Sequence, residues 1–109
     1  MSNADHYTYR VRYSLEDSQH VATIVEFPGL SWLADDPVEA FKGALQLLSE
    51  VLDDMQHTGE VPPVPLGERE YSGKFQVRIP PEAHRRLATE AAEQCISLNR
   101  LVSERLSAV

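Results

Sequence analysis

Lys74, Gln76 and Arg78 occupy every second position of the run Lys74-Phe75-Gln76-Val77-Arg78-Ile79-Pro80, with Phe75, Val77 and Ile79 between them. Strict alternation is the period of a strand, so one face carries two cations and an amide while the other carries three apolar side chains. Arginine, lysine and glutamine read base edges and phosphates, so the chemistry on offer is recognition of a polyanion rather than bond-making. Ser97-Leu98-Asn99-Arg100 adds a second element of the same kind. Ser97 is suited to cap a helix whose first amides can hold a phosphate, and Arg100 lies one turn in.

Groups suited to catalysis do not converge. Asp35-Asp36 and Asp53-Asp54 are the carboxylate pairs a two-metal nuclease would need. Asp36, however, is placed to cap a helix, and Asp53 and Asp54 fall on the last turns of that helix, where negative charge opposes the dipole. His6, His20, His57 and His84 show neither the i, i+4 spacing of a metal helix nor a nucleophile motif, and each reads as a surface residue. The single cysteine excludes an internal disulfide, and Cys95 is expected as a small, half-buried packing residue at a helix junction. No catalytic residue, metal or cofactor is expected, and the protein reads as a binding protein rather than an enzyme.

The elements that must position the polar strand follow it directly. Pro80 and Pro81 stop the strand, Pro81 suits a first helical position, and Glu82 places an acid in the first turn. Ala83, Leu87, Ala88 and Ala91 recur at helical spacing, and the chain breaks near Gln94-Cys95-Ile96. Leu98, Leu101, Val102, Leu106 and Val109 then mark a second helix. A strand and two helices are too few residues to close a core alone, and an unpaired strand needs a neighbour. Two copies pairing antiparallel through residues 74–106 solve both problems, and the resulting ribbon has the width of a DNA major groove.

Upstream lies a different composition. Residues 1–73 carry thirteen Asp and Glu against four Lys and Arg, a net charge of −9, whereas residues 74–109 carry four against six, a net of +2. An acidic first half calls for a cationic partner and a basic second half for an anionic one. Tyr7–Tyr13, His20–Phe27 and Leu30–Ala34 read as three strands, the first two joined as a hairpin and the second ended by Pro28-Gly29. Asp36, Pro37 and Glu39 mark a capped helix start, and Val38, Phe41, Leu45, Leu48, Leu52 and Met55 form its apolar stripe as far as Thr58-Gly59. That helix is expected to cover the sheet. Val61-Pro62-Pro63-Val64-Pro65-Leu66-Gly67 reads as a stiff, extended connector. Ser2-Asn3-Ala4 resembles a cloning remnant and is set aside. Without a long apolar run or a signal peptide pattern, the expected location is the cytoplasm.

The segments SGKFQVRIPPEAHRRLA and SLNRLVSERL, within residues 72–106, resemble the ribbon-helix-helix family of DNA-binding proteins. One position departs: where that family's interhelical turn carries Gly, this chain has Cys95. The EFPGL turn at residues 26–30, the helix start Asp36-x-x-Glu39 and the Pro-rich link, together with such a tail, resemble the HicB family of antitoxins. That resemblance implies an α+β protein with three parts. Residues 5–60 would form a β-β-β-α domain of reduced RNase H-like fold, residues 61–70 a Pro-rich linker, and residues 71–109 a ribbon-helix-helix domain for dimerisation and DNA binding. It also implies the antitoxin of a type II toxin-antitoxin pair, with a HicA-like mRNA-cleaving toxin as partner of the first domain and operator DNA as partner of the second. Homodimers could then pair into tetramers. The DNA-binding residues implied are Lys74, Gln76, Arg78, Ser97, Leu98, Asn99 and Arg100; Arg85 and Arg86 are taken as solvent-facing. For the toxin, Phe27 and Trp32 are candidate anchors and Asp35 and Asp36 candidate charges. The alternative is a stand-alone ribbon-helix-helix transcriptional regulator whose first domain senses a ligand or protein.

Overall fold

The computed structural model describes residues 3–108; Ser2 and Val109 lie outside the described residues. The chain is α+β, a three-stranded antiparallel sheet followed by helices, and divides into two compact units that meet between Tyr71 and Ser72.

The first unit is built on strands β1 (Tyr9–Ser14), β2 (Gln19–Ile24) and β3 (Phe27–Ala34), in the order β1-β2-β3. Pro28-Gly29 does not end the second strand. The reversal falls two residues earlier, at Val25-Glu26, and Pro28-Gly29 lies inside β3. There the register slips, with Thr23 opposite Ser31 but Ile24 opposite Phe27, so Pro28, Gly29 and Leu30 pass outside the ladder. A proline without an amide donor is tolerated at such an irregularity, on an edge strand.

Helix α1 (Pro37–Thr58) starts as the sequence predicts, with Pro37 at its first position and the Asp36 carboxylate accepting the Glu39 amide at 2.8 Å. Gly59 ends it in the left-handed region at φ 81°, and its amide reaches Met55 O. The buried stripe differs from the expected one: Ala40, Ala44, Leu48 and Leu52 face the sheet, whereas Val38 is 58% and Phe41 38% exposed. Alanine is what permits close approach, and Ala40 and Ala44 lie directly against Ala22 of β2. A reading that ranks large apolar side chains overlooks this and places the stripe about one position to the side. Ile24 and Leu48, both fully buried, centre the larger cluster with Tyr7, Leu52 and Ala4. Each such side chain contributes about 1.5–3 kcal/mol. Ala4, set aside on sequence grounds, is therefore part of the core, carried by a short 3-10 helix over Ala4–His6.

Trp32 lies across the helix at Gly43, where a Cβ would sit 2.0 Å from the indole Nε1. Gly43→Ala normally gains about 1 kcal/mol in a helix interior; here the methyl must expel the only tryptophan. The expected result is a net loss of about 1–2 kcal/mol together with a red-shifted tryptophan emission, read by denaturant titration. A gain in stability with unchanged emission would show that the indole is not seated on the helix.

The second unit holds helices α2 (Pro81–Glu93) and α3 (Leu98–Ser107). Pro81 opens α2 with Glu82 in its first turn. It closes through Cys95, at φ 56°, with the Ile96 amide on Ala91 O at 3.0 Å and the Cys95 amide on Ala92 O at 3.1 Å. These two bonds are the closure that usually recruits glycine, so Cys95 holds a left-handed conformation its side chain disfavours by about 1–2 kcal/mol. Its side chain is exposed, not half-buried as expected, because the left-handed turn carries it off both helices. Ala88 and Leu106 of the expected apolar faces are also exposed, and the only buried residues described in this unit are Ala91 and Leu101.

Candidate nucleic-acid interface

Residues 74–80 form neither helix nor ladder within the chain. The segment expected as a strand has no neighbour to pair with in one copy, and its entry is shaped by Gly73 at φ 83° and by the Lys74 amide donating to Ser72 Oγ at 3.1 Å. Its apolar side chains are strongly exposed: Phe75 74%, Val77 63% and Ile79 42%. Val77 and Ile79 line a groove of about 460 Å³ with Leu87 of α2 and Leu98, Val102 and Leu106 of α3. A second cavity of about 620 Å³ adjoins it, with Phe75, Asn99, Val102 and Ser103 in its wall.

Lys74, Gln76 and Arg78 are exposed, and neither cation is ion-paired among the described residues. Ser97 caps α3, its Oγ accepting the Arg100 amide at 3.0 Å. The amides of Leu98 and Asn99 belong to the first turn, where a helix has no acceptor of its own. Asn99 is exposed and Leu98 half-buried. The Arg100 side chain is engaged locally, its Nε donating to Glu104 Oε1 at 3.2 Å, an exposed pair on one face of α3. Arg85 and Arg86 are exposed on α2, and Arg105 of α3 pairs with Glu90 of α2, tying the two helices together. Arg105 lines the groove and Lys74 the adjoining cavity, so each unfilled apolar wall has a cation at it, an arrangement that suits a surface completed by another chain.

In the first unit Phe27 is half-buried, packed on the core and edge-on to Tyr7 at 5.4 Å. Trp32 is 45% exposed over Gly43, and Asp35 and Asp36 are exposed, Asp35 accepting Gln19 Nε2 at 3.3 Å. His20, read as a surface residue, is half-buried and edge-on to Tyr13. Asp53 and Asp54 are exposed, and no group of three or more His, Cys, Asp or Glu side chains among the described residues is arranged to hold a metal.

Sequence reasoning counts Glu26 only among the surplus carboxylates of the acidic first half; the structure gives it internal partners. Its carboxylate accepts the Thr8 amide and hydroxyl, each at 3.0 Å, and the Leu66 amide at 2.9 Å, so one side chain binds the start of β1 to the Pro-rich segment. Burial pushes its pKa up, but the hydrogen bonds from Leu66 and Thr8 outweigh this and hold it below the ordinary 4.5. A depressed carboxylate stabilises the fold above its unfolded pKa, and that contribution is lost as pH falls through the folded value. The Tyr7 hydroxyl donates to Pro63 O at 2.7 Å, and His6 Nδ1 lies 2.7 Å from Glu68 Oε2. These bonds fasten residues 63–68 to His6, Tyr7 and Glu26 within the first unit. A half-buried acceptor for a distant amide leaves no periodic signal in sequence, which is why these partners of Glu26 were illegible there.

A model of the HicB family matches residues 61–106. No curated protein and no solved structure matches the chain. Among the described residues no helix is long and apolar enough to cross a membrane.

Proposed function

We propose that this chain is the antitoxin of a type II toxin-antitoxin pair. The first unit, a reduced RNase H-like β-β-β-α domain, neutralises a HicA-like mRNA-cleaving toxin. The second, a ribbon-helix-helix domain, pairs with another copy and represses the chain's own operon in the cytoplasm. One observation carries this reading: the HicB match covers the segment in which Val77 and Ile79, walling an unfilled apolar groove, alternate with the exposed Lys74, Gln76 and Arg78. A unit with two buried apolar residues and three exposed ones on one segment is stabilised best by a second copy laid across that groove. Pairing residues 74–79 of two copies would bury Phe75, Val77 and Ile79 and raise the polar side chains together on the outer face, the arrangement a major groove accepts.

The DNA half of this reading separates base contacts from phosphate contacts. Arg78→Ala or Gln76→Ala is expected to cost roughly 1–3 kcal/mol and to relax preference at one base pair per half-site. Asn99→Asp, which puts an anion at the start of α3, is expected to weaken matched and scrambled DNA alike. Binding titrations on both DNAs distinguish the two patterns. Equal loss on both for Gln76→Ala would show that the segment does not read bases.

A further inference from the structure

The first unit leaves one side of its sheet uncovered in an uneven way. Residues paired directly across a ladder share a face, so Val11 and Tyr13 share the face of Ala22 and His20, the face packed by α1. Yet Val11 is 38% and Tyr13 52% exposed. The helix lies over β2 and β3, where Ala40 and Ala44 meet Ala22 and Gly43 meets Trp32, and leaves the outer half of β1 bare. Its flank toward that strand is apolar: Phe41 stands edge-on to Tyr9 at 5.1 Å, and Val38 lies one turn earlier on the same side. Val11, Tyr13, Val38 and Phe41 therefore border a shallow apolar gutter between an edge strand and a helix.

Charge decides what fits it. The turn after β1 carries Glu16 and Asp17, and the turn from β3 into α1 carries Asp35, Asp36 and Glu39; all are exposed. The pairing of Ser14 with Gln19 and of His20 with Ala34, and the hydrogen bond from Gln19 to Asp35, bring these two turns to one end of the sheet, beside Tyr13. The opposite face of the sheet carries Arg10 and Arg12, neither ion-paired among the described residues. An apolar strip with carboxylates at one end, and cations on the sheet's other face, selects a partner with an apolar protrusion on a cationic surface and orients it.

Resting on the antitoxin reading, we propose that the toxin docks in this gutter, with Tyr13 and Val38 as the central anchors and the carboxylates of the two turns steering its basic surface. Phe27, packed in the core, has no part in the contact, and the arginine face is left outward. The gutter supplies the desolvated centre and the carboxylates the polar rim that tight interfaces require.

The test uses the full chain and a purified HicA-like ribonuclease, followed through RNA cleavage. Wild-type inhibition establishes the antitoxin reading independently of the surface. Given that inhibition, the double variant Tyr13→Lys, Val38→Lys is expected to lose it by on the order of 100-fold. Operator binding, thermal unfolding and sedimentation should stay as in wild type. The pair Glu16→Lys, Asp35→Lys is expected to slow association at low salt and to converge on wild type at high salt. Arg12→Glu on the other face is expected to inhibit normally. Full inhibition by the double lysine variant, loss of inhibition in Arg12→Glu alone, or a changed mass of the free double variant, which would make the gutter a self-interface, each overturns the proposal.

Discussion

Val102→Glu is expected to turn the chain from a dimer into a monomer and to abolish operator binding at concentrations where wild type is saturated. Val102 belongs to both cavities of the second unit, the one walled by Val77 and Ile79 and the one walled by Phe75 and Asn99. In the proposed pair of copies it would lie at the seam, and the substitution would place two carboxylates among Val77, Ile79, Leu98 and Leu106, with Arg105 of that groove already paired to Glu90 and only the exposed Lys74 of the adjoining cavity nearby. Each uncompensated buried charge costs about 3–5 kcal/mol, so dimer affinity should fall at least about 1000-fold, or roughly 4 kcal/mol. Sedimentation across a concentration series measures this, with Val61→Glu, at an 89% exposed position of the first unit, as the control. A variant that remains dimeric at wild-type affinity would place the association outside this groove.

Leu48→Ala is expected to have the largest effect on the first unit. Leu48 is fully exposure-free, packed with Ile24, Tyr7 and Leu52. Large-to-small changes at such sites cost about 2–5 kcal/mol, a large share of the marginal stability of a small unit. Because the second unit has its own helices and closure, the loss should be confined: toxin inhibition falls at physiological temperature while operator binding persists. Thermal unfolding followed by tryptophan emission, which reports the first unit alone, gives the shift. Simultaneous loss of operator binding would show that the two units unfold as one.

The contrast between what the sequence disclosed and what it hid has physical causes. The α1 boundaries were legible because Asp36, Pro37 and Gly59 act through their own backbone preferences, and the structure uses each of them at a helix end. Its buried face was not, since Ala40 and Ala44 matter for the space they leave against Ala22, and small residues give a weak periodic signal. Pro28-Gly29 looked like a strand end because that pair usually turns a chain; the reversal at Val25-Glu26 instead rests on Glu26, whose partners Thr8 and Leu66 are distant in sequence. In the second unit the alternation of residues 74–79 and the Ser97 cap were plain, and the cap is formed. Absence of a ladder for residues 74–79 within the chain follows from a strand's dependence on a neighbour, which in the proposed function is a second copy. The gutter beside β1 was hidden for a related reason, because exposure of Val11 and Tyr13 depends on where α1 lies across the sheet.

Whether an acidic first unit neutralises a ribonuclease while the second binds DNA is decided by RNA cleavage with a purified HicA-like ribonuclease. Full-length chain, residues 1–71 and residues 72–109 are added in turn. The full chain and residues 1–71 are both expected to suppress cleavage, with association slowing steeply as salt rises because carboxylates meet a surface built for phosphates. Residues 72–109 should leave cleavage intact. Suppression by residues 72–109 alone, or cleavage unaffected by the full chain, would show that the first unit is not the inhibitor of such a ribonuclease.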